Sequence, residues 1–99
     1  MARYDVYRMG GASGFVLDCQ ADVLGMLNTR FVVPLLPPEQ APLAGERLNP
    51  AFTIAGEQVI MYTQFAASVP ASQLREPVES LADEHLVIVN ALDMLVSGY

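Results

Sequence analysis

LADEHLVIVNALDMLVSGY, Leu81–Tyr99, is the stretch whose reading decides the fold. It reads as one helix that is apolar on almost every side. At about 100° per residue, Asp83, Asn90, Asp93 and Ser97 share one narrow polar stripe. Ile88, Leu92, Leu95 and Tyr99 form one apolar row, and His85, Val89, Leu92 and Val96 another, while Leu86, Val87 and Met94 flank the stripe. A surface helix needs an apolar face only about 100° wide, so this one carries more than a single core contact uses. In a chain of 99 residues the excess points to a second chain. Most of the helix is expected in the core and in a dimer.

Upstream of the helix the pattern changes to short extended segments. Arg3–Arg8 (RYDVYR) supplies Tyr4, Val6 and Tyr7 to a first strand, and Phe15–Gln20 (FVLDCQ) returns as a second after the turn cluster Gly10–Gly14. Ala21–Asn28 is a connection holding the apolar pair Val23 and Leu24. Arg30–Leu36 (RFVVPLL) is a buried strand in which Pro34 implies an edge or a bulge. Pro34, Pro37, Pro38, Pro42 and Pro50 exclude regular helix or central strand from the next stretch. Ala51–Ala55 and Gln58–Thr63 flank Gly56-Glu57 as a hairpin, and Phe65–Val69 adds a short strand. Ser72–Glu79 reads as a linker or one helical turn, and Ser80 with Asp83 resembles a capping box opening the helix. Strands first and one helix last define a single α+β domain over residues 1–99, built on an antiparallel sheet.

Composition narrows the function. The chain is 53% hydrophobic and 16% charged, which excludes disorder and favours an oligomer. Net charge is −6, and the five cations are the scattered arginines Arg3, Arg8, Arg30, Arg47 and Arg75. No basic face is available to neutralise phosphates, so autonomous nucleic-acid binding is not expected. Neither a signal peptide nor a membrane span is legible, so a cytoplasmic location is expected. The single cysteine, Cys19, reads as a buried small hydrophobe.

Residues for catalysis are few. His85 is the only histidine, and its neighbours Asp83 and Glu84 point to other helix faces, so no acid–base pair is preformed. No metal-ligand spacing occurs, and no cofactor is expected. Asp18 and Asp22 share a loop without a diagnostic separation. Small antiparallel barrels can be ribonucleases, for which Arg3, Arg30 and Arg75 would be the available cations. What remains is apolar surface: Val23-Leu24 and the end of the helix.

Taken in order, Arg3–Tyr7, Val16–Asp22 (VLDCQAD), Arg30–Leu35 (RFVVPL), Ala67–Pro70 (ASVP), Asn90–Leu92 (NAL) and Gly98 resemble the CcdB toxins of toxin–antitoxin systems. The likeness spans nearly the whole chain, with one small gap near the first turn. It implies a homodimer of small SH3-like barrels, each with a short accessory sheet and a C-terminal helix, and no enzyme activity. It further implies binding to the DNA gyrase A subunit, trapping of the gyrase–DNA cleavage complex, neutralisation by a cognate antitoxin, and operon co-repression with DNA contacted only through that complex. By position, the implied gyrase contacts are Val23 and Leu24, then Asp93, Val96, Ser97, Gly98 and Tyr99. The chain departs from the family pattern at three of these. Ser97 replaces a tryptophan, Val96 a bulky aromatic, and Asp93 an asparagine. Two other readings accompany this one: an endoribonuclease on the related barrel, and a degenerate homologue that only dimerises and binds antitoxin.

Overall fold

The computed structural model describes residues 1–9, 14–39 and 45–98. Most of the turn Gly10–Gly14 and the middle of the proline-rich excursion therefore lie outside the described residues, as does Tyr99. Among the described residues seven strands follow in chain order: β1 Asp5–Arg8, β2 Phe15–Asp18, β3 Thr29–Leu36, β4 Ala51–Ile54, β5 Glu57–Met61, β6 Ala67–Pro70 and β7 Glu79–Ser80. Among the described residues there is one α-helix, α1 His85–Ser97, after the last strand. All pairings are antiparallel, in the order β4-β5-β3-β2-β1-β7, with β6 also on β3. The sheet curls into a nearly closed barrel, the α+β architecture expected from the sequence. Its two ends approach where Glu79 Oε1 accepts the Ala55 N–H at 3.2 Å.

The strand period of two sorts the side chains. Val6, Phe15, Leu17, Val33, Leu35 and Met61 point into the barrel with Phe52, Ile54 and Val59, while Leu81, Ile88 and Ala91 cap it. Each Val, Leu, Ile, Phe or Met fully buried among them is worth roughly 1.5–3 kcal/mol. The opposite face of β1–β3 is covered as well. Tyr7, Val16 and Val32 pack there with Leu74, and Met9 and Val69 border them.

Pro34 sits neither at an edge nor at a bulge. β3 pairs with β6 over Thr29–Val32 and with β5 over Leu35–Leu36, so Pro34 marks the change of partner. Its carbonyl accepts the Tyr62 N–H at 3.0 Å, so the side where its own N–H is missing faces the gap between β6 and β5. The β4–β5 hairpin continues the main sheet from that point. The accessory sheet is thus a flap, joined through the pairs Leu35–Met61 and Leu36–Ile60.

Several boundaries differ from expectation for local reasons. β1 begins at Asp5 because Tyr4 has φ 74°, which breaks the extended run. The hairpin turn is Ala55-Gly56, with φ 51° and 81°, as a two-residue turn with both residues left-handed requires. Phe65 closes a 3-10 turn, Thr63–Phe65, before β6. Ser72–Glu79 is both helical turn and linker: the 3-10 turn Ala71–Gln73 covers its start, residues 74–78 are an irregular connection, and Glu79 enters β7 on β1. The capping box does not form. Ser80 Oγ accepts the Ala82 N–H at 3.2 Å, Ala82–Glu84 make a 3-10 turn, and α1 starts four residues later than predicted. In the single chain only Ile88 and Ala91 of the helix are fully enclosed.

Candidate functional site

The residues between β2 and β3 form an apolar loop held out into solvent. Asp22–Leu24 is a 3-10 turn with no buried residue. Val23 and Met26 are 76% and 77% exposed, and Leu24 and Leu27 are nearly half exposed. Backbone bonds from Leu24 to Ala21, Gly25 to Asp22 and Leu27 to Leu24 wind it tightly. The side chains below fix its position. Gln20 Nε2 donates to the Leu24 carbonyl at 2.9 Å, and its Oε1 accepts the Phe31 N–H at 3.0 Å, so one amide ties the loop to β3. Asp22 Oδ1 accepts the Arg3 N–H at 2.8 Å. Arg3 Nε in turn donates to the Cys19 carbonyl.

Beneath this layer lies a charge pair sealed from water. Arg30 Nε donates to Asp18 Oδ2 at 2.8 Å, and Nη2 stands 2.7 Å from the same oxygen. Both side chains are essentially unexposed. The other carboxylate oxygen, Oδ1, accepts the Gln20 N–H. A buried charge is tolerated only when paired and hydrogen-bonded. Asp18, Gln20 and Arg30 thus form a rigid base from which the apolar side chains project. Nearby, burial raises the pKa of Tyr7, and the carboxylates of Asp5 and Asp18 raise it further.

The end of α1 is the second exposed surface. From Asp93 to Gly98 no residue is buried, and Val96 is 81% exposed. Gly98, with φ 76°, ends the helix in the left-handed region, its N–H returning to the Met94 carbonyl at 3.0 Å. Nearer the helix start, Leu86 is 74% exposed and Val87 less so. The helix packs on the 3-10 turn Thr63–Phe65, and residues 93–98 at its end are exposed.

The sequence-derived contact residues Val23, Leu24, Asp93, Val96, Ser97 and Gly98 are therefore all exposed, divided between the loop and the helix end. Met26 and Leu27 belong with Val23 and Leu24 but escaped the sequence reading. Their signal was there: VLGML is an uncharged apolar run in a connection too short for a strand. Asp18, dismissed from spacing alone, proves to anchor the loop.

Of the other polar candidates, His85, Cys19 and Arg30 have structural roles. His85 Nδ1 and the Tyr4 hydroxyl are 2.6 Å apart, with the rings edge to face. Burial raises the pKa of Tyr4. Cys19 lies in the core, where burial pushes its thiol up to about 12, the behaviour of an inert hydrophobe. Arg30 is enclosed and cannot meet an RNA phosphate. Among the described residues no helix is long and apolar enough to cross a membrane.

A small antiparallel barrel with one terminal helix and two exposed apolar surfaces is the class of protein that this geometry defines. The model of the family described as the CcdB protein matches residues 3–98, nearly the whole chain. The chain therefore belongs to the CcdB family, toxins of toxin–antitoxin systems. No curated protein matches it.

Proposed function

We propose that this toxin acts by binding rather than by chemistry. Its target is the A subunit of DNA gyrase, which it traps on cleaved DNA. The loop residues Val23 and Leu24 and the helix end Asp93, Val96, Ser97, Gly98 and Tyr99 make the contact. The observation that carries this reading is the exposure of Val23 at 76% and Val96 at 81%, each on an element closed at its C-terminal end by a backbone hydrogen bond. Apolar side chains held in water by a buried polar scaffold gain their stabilisation only when a partner covers them. Met26 and Leu27 widen the loop patch to four adjacent apolar side chains.

The protein works as a homodimer, supported by the uncovered helix residues Leu86, Val87 and Met94. A cognate antitoxin neutralises it and joins it in repressing the operon. The test is inhibition of gyrase supercoiling, with accumulation of cleaved DNA, by the purified protein and by a chain truncated after Val96. Inhibition by the full chain and its loss on truncation is the expected result. An inert full chain against the gyrase of its own host would overturn the proposal.

A further inference from the structure

We propose that Met26 is a reversible oxidation site through which hydroperoxides disarm the loop patch, an inference that rests on the patch being a contact surface. The chain carries its sulfur in five methionines and Cys19, and these are not equally open. Met26 is the most exposed of the methionines, at 77%, ahead of Met1 and Met94. Met61 is enclosed in the barrel, and Met9 is half-buried against Val16 and Leu74. Cys19 is buried with its thiol pushed up to about 12, so it offers no thiolate at neutral pH. An oxidant in solution therefore meets the loop before it meets the core.

The chemistry is an oxygen transfer. The Met26 Sδ lone pair attacks the outer oxygen of the hydroperoxide, an S–O bond forms and the O–O bond breaks. Sulfur gives up two electrons, and the departing oxyanion takes the hydroxyl proton and leaves as water or an alcohol. The product, methionine sulfoxide, is polar where the thioether was apolar. It stands among Val23, Leu24 and Leu27, a run with no charged residue. Covering the sulfoxide oxygen against an apolar partner strips it of water with no hydrogen bond in return. The loop itself keeps its shape. Its backbone bonds run from Leu24 to Ala21, Gly25 to Asp22 and Leu27 to Leu24, and Gln20 holds the Leu24 carbonyl. Oxidation at Met26 thus changes the surface and spares the fold, whereas the same change at Met61 would put a dipole into the core. An exposed sulfoxide is also open to methionine sulfoxide reductases, one for each epimer, which makes the change reversible.

The experiment treats the full chain and Met26→Leu with dilute hydrogen peroxide and compares each protein with itself before and after. Peptide mass spectrometry follows each methionine, hydrophobic-interaction chromatography reads the surface, and supercoiling inhibition reads the contact. Met26 should oxidise well before Met61, with the melting temperature unchanged. Retention should fall and inhibition weaken roughly tenfold or more in the parent, with neither change in Met26→Leu. The two reductases together should restore both. Met26 oxidising no sooner than Met61 would overturn the proposal. So would a parent oxidised at Met26 with retention and inhibition unchanged, or an equal loss in Met26→Leu. An untreated parent inert towards gyrase, but with the retention shift confined to the protein that holds Met26, would overturn the gyrase reading and support the oxidation site.

Discussion

Arg30 Nε donates to Asp18 Oδ2 at 2.8 Å in a space closed to water on both faces of the sheet. The two residues lie on adjacent strands, β3 and β2, and the pair supports Gln20, which in turn holds the Leu24 carbonyl. Stability and the shape of the apolar loop are therefore coupled through one carboxylate. Asp18→Ala leaves the guanidinium buried without a counter-charge, at a cost of about 3–5 kcal/mol. Replacing both residues by leucine should cost less than the sum of the two single changes, since the double change removes both charges. Urea unfolding of the two single variants and the double variant measures this. Equal and additive losses would show that the pair is not coupled.

That pair also shows what the sequence reveals and what it hides. The order of strands and the final helix are legible, because alternating apolar residues and turn glycines are local signals. Asp18 and Arg30 are twelve residues apart and meet only through ladder register, which no local pattern encodes. β7 has two exposed residues, Glu79 and Ser80, and no apolar alternation to announce it. The helix start is misread because Ser80 and Asp83 have the spacing of a cap, whereas Ser80 bonds a nearer amide and a 3-10 turn intervenes. The site is half legible. Val23-Leu24 and the helix end stand out as apolar surplus, while Met26 and Leu27 look like core until the loop is seen to face water.

Exposure gives the loop a clear prediction. Val23 and Met26 touch little in the free protein, so V23S/M26S should keep its melting temperature, with a stability change within about 0.5 kcal/mol per site. Burial of those side chains against gyrase would be lost, and inhibition of supercoiling should weaken by roughly ten- to a hundredfold. A normal inhibition curve from a folded double variant would remove the loop from the contact.

Alkaline pH should act through Cys19. Its thiol is raised from an ordinary value of 9.0 to about 12, chiefly by burial, with Asp18 adding to the rise. Above pH 9 the unfolded chain loses this proton while the folded chain keeps it, so folding stability falls as pH rises towards 12. Each group of this kind contributes at most about 1.4 kcal/mol per pH unit. Tyr4 and Tyr7, also raised by burial, add the same sign above the usual tyrosine range. Cys19→Ala should therefore show a shallower alkaline loss than the parent, although it is less stable at neutral pH. Thermal melts from pH 8 to 11 compare the two slopes, and parallel slopes would refute the assignment.

If the helix end makes the proposed gyrase contact, Ser97 sets how strongly it can grip. Gly98 terminates α1 just beyond it, so the residue at this position is held at the rim of the last turn and exposed. An indole placed there meets no buried neighbour, and Ser97→Trp should change stability by no more than about 0.5 kcal/mol. Aromatic anchors at the centre of an interface are commonly worth about 2–4 kcal/mol, some thirty- to a thousandfold in affinity. Ser97→Trp should accordingly strengthen binding to the gyrase A subunit well beyond that of the parent chain, as measured by calorimetry. A parent that is inert beside an active variant would identify a homologue that kept the docking frame and lost its anchor. If the tryptophan adds nothing while the loop variant still weakens inhibition, the loop and not the helix end is the site of contact.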